Sequence, residues 1–295
     1  MFRETPGDRV REIRVSESFY KEHGDEVRAL CERAEEAHRS AAGNTAAGRV
    51  SEHKAADRAS AKSAEIENAG RTAGAGRKTS DRADGKTTGK ESAGRASGHV
   101  AGYRLPVEIL PDTRFKSLSD TQTPQGILAV VEKCRWEAAD ILSGPAPFIL
   151  ILENLQDPGN VGTIIRTAEA AGVDGIFYTK GCVDLYNPKT IRSTMGAVYR
   201  MPHAEIDDMD GFLKMLADRR ITTYASSLAT DKTYLDRDYR TGTALMIGNE
   251  GNGLSPELQA AADALIHIPM HGQVESLNAA MAAGILMYEV CRQRM

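Results

Sequence analysis

The residues that decide the fold are Phe148-Ile-Leu-Ile-Leu152 and the polar loop that follows them, Glu153-Asn-Leu-Gln-Asp-Pro-Gly-Asn160. A continuous apolar run of this length is typical of a parallel strand that is buried on both faces. From Val161 the apolar side chains recur at i, i+3, i+4 and i+7, which predicts an amphipathic helix that Gly172 ends. A strand, a loop and a helix in this order predict one unit of an α/β domain.

The alternation of strand and helix continues from here to the C-terminus. The predicted strands are Gly175–Tyr178, Ile221–Ala225, Ala244–Ile247 and Ala264–Pro269. The predicted helices begin at Asn187, Met209, Ser255 and about Ser276. Such alternation argues for a parallel sheet covered by helices on both sides, so residues 147–295 are predicted to form one α/β domain.

Two separate segments, residues 1–30 and 103–142, are predicted to form a second, smaller α/β domain. Its predicted strands are Arg11–Ser16, Val107–Leu110 and Gln125–Val131, the last of them as a buried apolar run. A helix is predicted over Glu17–Cys31, and a turn or a short helical link over Phe115–Thr121. The domain is expected to be incomplete, lacking a first strand and helix.

Residues 31–102 separate these two segments and are predicted to be a disordered, low-complexity insertion. Within residues 31–99, Val50 and Ile66 are the only large aliphatic side chains, and 13 Lys and Arg face 10 Asp and Glu. Such a stretch cannot bury enough apolar surface to offset the entropy lost on ordering. It is interpreted as a solvated spacer, with a weak RNA tether, whose cations contact phosphates, as the alternative.

The composition of the 295 residues excludes several classes of protein. A hydrophobic fraction of 41% and a net charge of −4 exclude a collagen-like chain, a wholly disordered chain and a histone-like polycation, although a local basic face remains compatible. The four cysteines form no CxxC pair and therefore lack zinc-ligand spacing. The N-terminus has no signal-peptide core, and no apolar stretch approaches the ~20 residues of a membrane span. We therefore predict a soluble cytoplasmic protein with reduced thiols.

The first of three chemical motifs is Asn154-Leu-Gln-Asp-Pro-Gly-Asn-Val-Gly-Thr-Ile-Ile-Arg-Thr-Ala168. It is predicted to place Asn160 at the helix cap and Arg166 about two turns into the helix. Ligands of open α/β sheets gather beyond the carboxyl ends of the strands, and the planar guanidinium of Arg166 can donate to a phosphate there. The alternative is a surface arginine on an amphipathic helix.

The second motif is Ile247-Gly-Asn-Glu-Gly-Asn-Gly-Leu-Ser255, a glycine-rich turn after a strand. Glycine lets the main chain approach a ligand closely because it has no β carbon. Gly248, Gly251 and Gly253 give the spacing GxxGxG, which fits neither the GxGxxG of dinucleotide-binding folds nor the Gly-Lys-Ser/Thr of a Walker A loop. A glycine-rich turn without a ligand is the alternative.

The third motif, Ile268-Pro-Met-His-Gly-Gln-Val-Glu-Ser-Leu-Asn278, joins the last strand to the last helix. Ser276 is predicted to cap this helix, whose free amides can bind a ligand, and Asn278 offers both a donor and an acceptor. His267 and His271 stand at i and i+4 on a strand and a loop, with no third ligand nearby, so no metal site is predicted.

In this order and at these separations, the three motifs resemble those of the SpoU/TrmH family of RNA ribose 2′-O-methyltransferases, within the SPOUT superfamily. The similarity covers residues 147–295 strongly, and residues 105–131, which include Thr123-Pro-Gln-Gly-Ile-Leu-Ala-Val-Val131, resemble the end of the family's N-terminal substrate-binding domain. It implies a SPOUT-type, trefoil-knotted α/β catalytic domain, a homodimer formed through the last helix, and S-adenosylmethionine bound by the knot loops. The residues that match cofactor-binding positions are Gly248, Asn249, Gly253, Ile268, Met270 and Leu277.

The resemblance also implies methyl transfer to a ribose 2′-hydroxyl of rRNA or tRNA, with Arg166 as the candidate for removing the hydroxyl proton. A free guanidinium holds its proton above about pH 12, so Arg166 is also interpreted as binding the adjacent phosphate and stabilising the developing alkoxide. Glu250 is a second candidate, either as proton acceptor or as a structural residue of its loop. Asn160, Ser276 and Asn278 are predicted to orient substrate or cofactor.

Two hypotheses from other classes are a catalytically silent RNA-binding protein with the same fold and a nucleotide-binding dehydrogenase. The intact set of three motifs disfavours the first, and the glycine spacing disfavours the second. Small residues on the last helix fit close packing in a dimer, with a core contact inside the chain as the alternative. These are Ala279, Ala280, Ala282, Ala283 and Gly284.

Overall fold

The computed structural model describes residues 9–41, 104–274 and 276–295, whose strands form two sheets. The strands of the smaller sheet are β1 (Val10–Ser16), β2 (Val107–Leu110) and β3 (Ile127–Val131), in the order β2-β1-β3. β1 runs parallel to β2 and antiparallel to β3. All three predicted strands of the small domain are confirmed, while residues 42–103 of the predicted insertion lie outside the described residues.

Helix α1 covers residues 17–41 and packs against the smaller sheet. The predicted helix is confirmed, but the disorder predicted from residue 31 is wrong for residues 31–41. The side chains that face the sheet include Val27 and Cys31, and Ala34 continues this row past the predicted end at Cys31. These positions stand at i, i+4 and i+7, and alanine and glutamate between them favour a helix, so a polar composition did not prevent ordering here.

Strand β3 is less buried than its apolar sequence predicts. Ile127 and Ala129 pack against the core beneath α1, whereas Val130 is 42% exposed. The prediction of a buried run is therefore wrong, because α1 covers one face of this sheet and alternate side chains point to the other. Helix α2 (Asp112–Leu118) covers the first part of the predicted link, and residues 119–121 after it lie outside any helix.

A six-stranded, wholly parallel sheet forms the larger domain. Its strands are β4 (Phe148–Leu152), β5 (Gly175–Thr179), β6 (His203–Ile206), β7 (Thr222–Ser226), β8 (Thr243–Ile247) and β9 (Ala264–Ile266). Their order is β6-β5-β4-β8-β7-β9. Every residue of β4 and β8 is buried, as their apolar runs predict. The sequence does not predict β6, because this edge strand is short and half polar.

Helices cover both faces of the large sheet, as the alternating pattern predicts. They are α3 (Ala138–Ile141), α4 (Pro158–Ala170), α5 (Pro188–Thr194), α6 (Met209–Asp218), α7 (Pro256–Ala261) and α8 (Ala279–Arg294). One face packs against α4, α5 and α8, and the other against α3, α6 and α7. α4 and α8 run side by side in the same direction, since Asn278 contacts Asn160 near their starts and Cys291 contacts Ala171 near their ends.

Two helices begin at residues other than those predicted. The N-cap of α4 is Asp157, whose carboxylate accepts a hydrogen bond of 2.7 Å from Asn160 N, so Asn160 lies inside the first turn. The N-cap of α8 is Asn278 rather than Ser276, and its Oδ1 accepts from the amides of Ala280 and Met281. Asn278 is therefore fixed by the helix that it begins.

Three of the five small residues of α8 face the interior of the chain. Ala279, Ala280 and Ala283 are buried, which favours the core contact for these three, whereas Ala282 and Gly284 are half-buried. The open side of the helix is apolar, with Met281 61% and Tyr288 52% exposed. Any partner of α8 would therefore meet these larger side chains.

Candidate functional site

Loops that follow neighbouring strands meet at the carboxyl edge of the large sheet and enclose a cavity of about 420 Å³. This volume lies in the range of small-molecule sites. The cavity is lined by all six residues that the resemblance matches to cofactor binding, namely Gly248, Asn249, Gly253, Ile268, Met270 and Leu277. Glu250 and Ser276, which are predicted to act on substrate or cofactor, also line it.

The loop after β7 forms a further wall of the cavity, which the sequence analysis missed. Ser226, Ser227 and Leu228 line this wall together with Gln259. Ser227 Oγ donates to Gln259 Oε1 at 2.6 Å, and Gln259 Nε2 donates to the carbonyl oxygen of Leu254 at 2.8 Å. The only indication of this wall in the sequence was position, because these residues follow a predicted strand whose carboxyl end reaches the edge of the sheet that carries the cavity.

The glycine-rich loop after β8 folds so tightly on itself that main chain forms its wall of the cavity. A β carbon on Gly248 would lie 2.1 Å from main-chain atoms of Gly253 and Leu254. Asn249 and Gly253 exchange main-chain hydrogen bonds of 3.0 and 2.9 Å, and Asn249 Nδ2 donates to the carbonyl oxygen of Asn154 at 2.8 Å. Any side chain at position 248 would therefore force this loop open.

A carboxylate on the loop after β4 holds the other end of the glycine-rich loop. Glu153 accepts hydrogen bonds from the amide and the hydroxyl of Ser255, at 2.7 and 2.6 Å. Ser255 is also the N-cap of α7, as predicted, with its Oγ accepting from Leu258 N. The loops after β4 and β8 are thus joined at both ends of the second motif.

Asn160 links all three motifs through its side-chain amide. Asn278 Nδ2 donates to Asn160 Oδ1 at 2.9 Å, and Asn160 Nδ2 donates to Glu250 Oε1 at 3.0 Å. The orientation of both amides follows from chemistry, because Asn278 Oδ1 already accepts main-chain N–H groups and a carboxylate only accepts. The helix cap of α8 therefore aims Asn160 at Glu250, beside the cavity.

Arg166 stands apart from this network. It lies on the exposed side of α4, about a turn and a half beyond Asn160, and it is not among the residues that line the cavity. Within the described part of the chain its guanidinium has no hydrogen-bonded or ionic partner. The structure thus brings the predicted site residues together with the exception of Arg166, whose donors are not engaged by the described residues.

His267 directly precedes the third motif and His271 lies within it. His267 lines the cavity, and its Nδ1 lies 3.1 Å from the carbonyl oxygen of Lys232. Across residues 9–41, 104–274 and 276–295, no three His, Cys, Asp or Glu side chains are grouped as metal ligands. Nor does any helix within these ranges combine the length and apolarity needed to cross a membrane.

Comparison with known sequences identifies the larger domain. Residues 147–288 match the SpoU rRNA Methylase family. The 23S rRNA (guanosine(2553)-2′-O)-methyltransferase RlmP of Bacillus subtilis is 34% identical over 182 residues, which cover 62% of this chain and 71% of that protein. The chain belongs to the SpoU rRNA Methylase family. A second relative in the family, the 23S rRNA (uridine(2479)-2′-O)-methyltransferase of Streptomyces viridochromogenes, is 31% identical over 194 residues, or 64% of this chain and 67% of that one.

Solved structures of SpoU methyltransferases have the same fold. The AdoMet-bound rRNA methyltransferase of Sinorhizobium meliloti matches with a TM-score of 0.61 and 33% identity, over 66% of this chain and 75% of that chain. AviRb of Streptomyces viridochromogenes in complex with AdoMet matches with a TM-score of 0.60 and 30% identity, over 65% and 75%. The predicted SPOUT-type fold, the enzyme class of RNA 2′-O-methyltransferase and the cofactor S-adenosylmethionine are confirmed.

Proposed function

We propose that this SpoU methyltransferase transfers the methyl group of S-adenosylmethionine to the 2′-hydroxyl of one ribose in ribosomal RNA. The proposal is carried by one observation, that the predicted cofactor-binding residues line a single cavity with Glu250, which Asn160 connects to Asn278. The named relatives from Bacillus and Streptomyces act on 23S rRNA, which favours ribosomal RNA over tRNA as the substrate.

The cavity fits S-adenosylmethionine because its walls combine bare main chain with a few apolar side chains. Gly248, Ile268 and Leu277 are assigned to hold the adenine and ribose, where the main chain approaches without an intervening β carbon. Leu228 and Met270 add apolar surface that excludes water. When bound, the cofactor supplies a methyl group that its sulfonium has already activated.

The chain's own residues must align the ribose hydroxyl and manage its proton. Arg166 is assigned to bind the phosphate next to the target ribose, because its planar donors are free and a guanidinium stays charged at neutral pH. From that position its charge stabilises the oxygen as the proton leaves. Glu250 is assigned to accept the proton through Oε2, since Oε1 is engaged by Asn160.

The remaining site residues are assigned to orientation. Asn160 fixes the carboxylate of Glu250, and Asn278 fixes the amide of Asn160. Ser276 lies exposed at the mouth of the cavity, where its hydroxyl can donate to substrate or cofactor. In this arrangement a hydroxyl oxygen bound near Glu250 meets acceptors and donors that need no rearrangement when charge develops.

A second copy of the chain is the proposed partner of α8. The open face of this helix carries Met281, Ile285 and Tyr288, and Leu235, on the short turn that packs beside α8, is 55% exposed. Large apolar and aromatic side chains of this kind are enriched at the centres of protein interfaces. The homodimer would bury this face one helix turn from Asn278, next to the site.

The small domain is proposed to bind RNA. Arg104, Arg114 and Lys116 are exposed on the small domain, where they can contact phosphates.

The proposed location of the protein is the cytoplasm. The four cysteines are free thiols, and a reducing compartment maintains thiols in this form.

The test is methyl transfer from labelled S-adenosylmethionine to unmodified 23S rRNA and to bulk tRNA, followed by mapping of the modified ribose. We expect label at one 2′-oxygen of the rRNA and none in tRNA. Label in tRNA alone would overturn the choice of substrate. Calorimetric binding of S-adenosylmethionine without transfer to either RNA would instead favour a silent RNA-binding protein.

A further inference from the structure

The link between the two domains, residues 132–137, lies in neither a helix nor a strand, yet it is held at its centre. Cys134 is buried, and its amide donates to the hydroxyl oxygen of Tyr186 at 2.9 Å. Its carbonyl oxygen lies 3.3 Å from the same hydroxyl. Tyr186 lies just before α5 in the large domain, so the Tyr186 side chain binds the main chain of the link to the large domain.

His203 on strand β6 orients the Tyr186 hydroxyl that binds the link. Its Nδ1 lies 2.9 Å from the carbonyl oxygen of Met201, which only accepts, so Nδ1 carries the ring proton. Burial lowers the pKa of His203 and keeps the ring neutral. Nε2 is then an acceptor, and the Tyr186 hydroxyl donates to it at 3.1 Å while accepting from Cys134 N.

A ring contact and a cation–π contact connect His203 to the small domain. The Trp136 ring packs against His203 with 4.5 Å between centroids, and the Arg9 guanidinium lies 5.5 Å from the Trp136 centroid. Arg9 directly precedes β1, and its carbonyl oxygen accepts from the amide of Glu132 at 2.9 Å. The contacts therefore run without interruption from the small sheet, through the link, to edge strand β6 of the large sheet.

We propose that Tyr186 is a positioning residue for the RNA substrate, acting by clamping the domain link so that the small domain stands at one place beside the methylation site. The proposal rests on the proposed function, in which both domains contact the same RNA. A clamped link raises the effective concentration of one RNA-binding surface relative to the other, and a freed link lowers it. Tyr186 should thus govern the KM for RNA and leave the cofactor cavity unaffected, since β6 and β9 are opposite edges of the sheet.

Tyr186→Phe is the informative variant because it keeps the ring and removes only the hydroxyl. The matched control is Tyr239→Phe, which also removes one tyrosine hydroxyl, but one whose hydrogen bond, donated to Tyr234 O at 2.8 Å, lies wholly within the large domain. A second variant, Arg9→Gln, leaves the hydroxyl in place and weakens the stack from the other domain. All are made in the full-length chain.

The first measurement is limited trypsin cleavage at Lys133 and Arg135, whose exposed side chains flank buried Cys134. We expect Tyr186→Phe to be cut here roughly five- to tenfold faster, as the loss of one partly buried hydrogen bond allows, and Tyr239→Phe to match the wild type. The second is steady-state methylation of 23S rRNA. We expect the KM for RNA to rise about fivefold in Tyr186→Phe and by less in Arg9→Gln, with kcat and the Kd for S-adenosylmethionine unchanged.

Faster cleavage with an unchanged KM would overturn the proposal, because the clamp would then hold the link without positioning RNA. An unchanged cleavage rate, or a raised Kd for the cofactor, would overturn it as well. If the proposed function itself fails, the wild type will methylate neither 23S rRNA nor tRNA. If only the clamp proposal fails, the wild type will methylate RNA, and Tyr186→Phe will have the same KM.

Discussion

The two sheets of this molecule use apolar residues in different ways. In the six-stranded sheet, β4 and β8 are buried at every position, because helices lie on both faces. In the three-stranded sheet, Ile127-Leu-Ala-Val-Val131 is almost as apolar, yet none of its residues is buried. A continuous apolar run therefore reports only that a strand is present. Whether that strand is buried depends on whether helices cover one face of its sheet or both.

The same difference fits the roles proposed for the two domains, catalysis for the larger and RNA binding for the smaller. The larger sheet has three loops, those after β4, β8 and β9, joined at its carboxyl edge by hydrogen bonds of Glu153, Asn160 and Asn249. The smaller sheet presents edge strands with exposed side chains such as Val107 and Ile109. Pre-organised donors suit catalysis, whereas an open surface suits contact with a large and variable ligand such as RNA.

The largest effect that separates the two domains is expected from Arg166→Ala. Removing one group that stabilises developing charge should lower the methyl-transfer rate by about 10²- to 10³-fold. The Kd for S-adenosylmethionine, measured by calorimetry, should stay within a few-fold, because Arg166 does not line the cavity. Arg219→Ala, which removes an exposed arginine beside α6 on the opposite face, is the control. A fully active Arg166→Lys would refute a role that needs the planar guanidinium.

Matched truncations of the two sheets should differ in stability. Leu150→Ala in β4 leaves a cavity between two helical layers and should cost about 3 kcal/mol of unfolding free energy. Val130→Ala in β3 removes a side chain that is 42% exposed and should cost less than about 1 kcal/mol. Chemical denaturation of the two variants gives the comparison. Equal costs would mean that β3 is covered in solution.

Two deletions test where the small domain ends. Removing residues 42–100 and joining the ends with a short Gly/Ser linker should change the stability by no more than about 1 kcal/mol, since loop-closure entropy varies only with the logarithm of length. Removing residues 34–100 should cost more, because Ala34 is buried and Glu35 accepts a hydrogen bond from Leu105 N at 3.0 Å. Thermal melts with equal Tm would contradict the packing of the last turns of α1.

The smallest effect is a pH dependence at the domain link. Because burial lowers the pKa of folded His203, the unfolded chain takes up its proton first as the pH falls, and stability is lost below about pH 6.5. The groups that face this ring are Tyr186, Tyr178 and Arg9. The Tm of the wild type should fall more between pH 7.5 and 5.5 than that of His203→Gln. His271→Gln, in the exposed loop after β9, should follow the wild type.

Local sequence predicted most elements and misplaced several of their ends. Asn187 and Ser255 were identified as caps because a proline follows each, and the same rule points to Asp157, which precedes Pro158 and is the true cap of α4. No proline follows Ser276 or Asn278, so the local sequence does not show which of them is the N-cap of α8. Asn160, which is distant in sequence, favours Asn278 because it accepts a hydrogen bond from the Asn278 side-chain amide.

The candidate site was predictable as a set of loops but not as a network. The spacing of the three motifs identified the residues that line the cavity, because parallel strands deliver their loops to one edge. The hydrogen bonds of Asn160 to Glu250 and Asn278 span 90 and 118 residues and leave no periodic trace in the sequence. The loop after β7 was missed for the same reason, whereas strand β6 was missed because it is short and half polar.

The bond between Asn160 and Asn278 also bears on how the protein is made. A ribosome synthesises the chain from its N-terminus, so Asn160 and the glycine-rich loop emerge well before the segment that orients them. Until residues 279–295 have formed α8, Asn278 has no helix to cap, and the amide of Asn160 lacks the partner that aims it at Glu250. If these residues act as proposed, a nascent chain that has folded its central strands early gains a complete site only after α8 has formed.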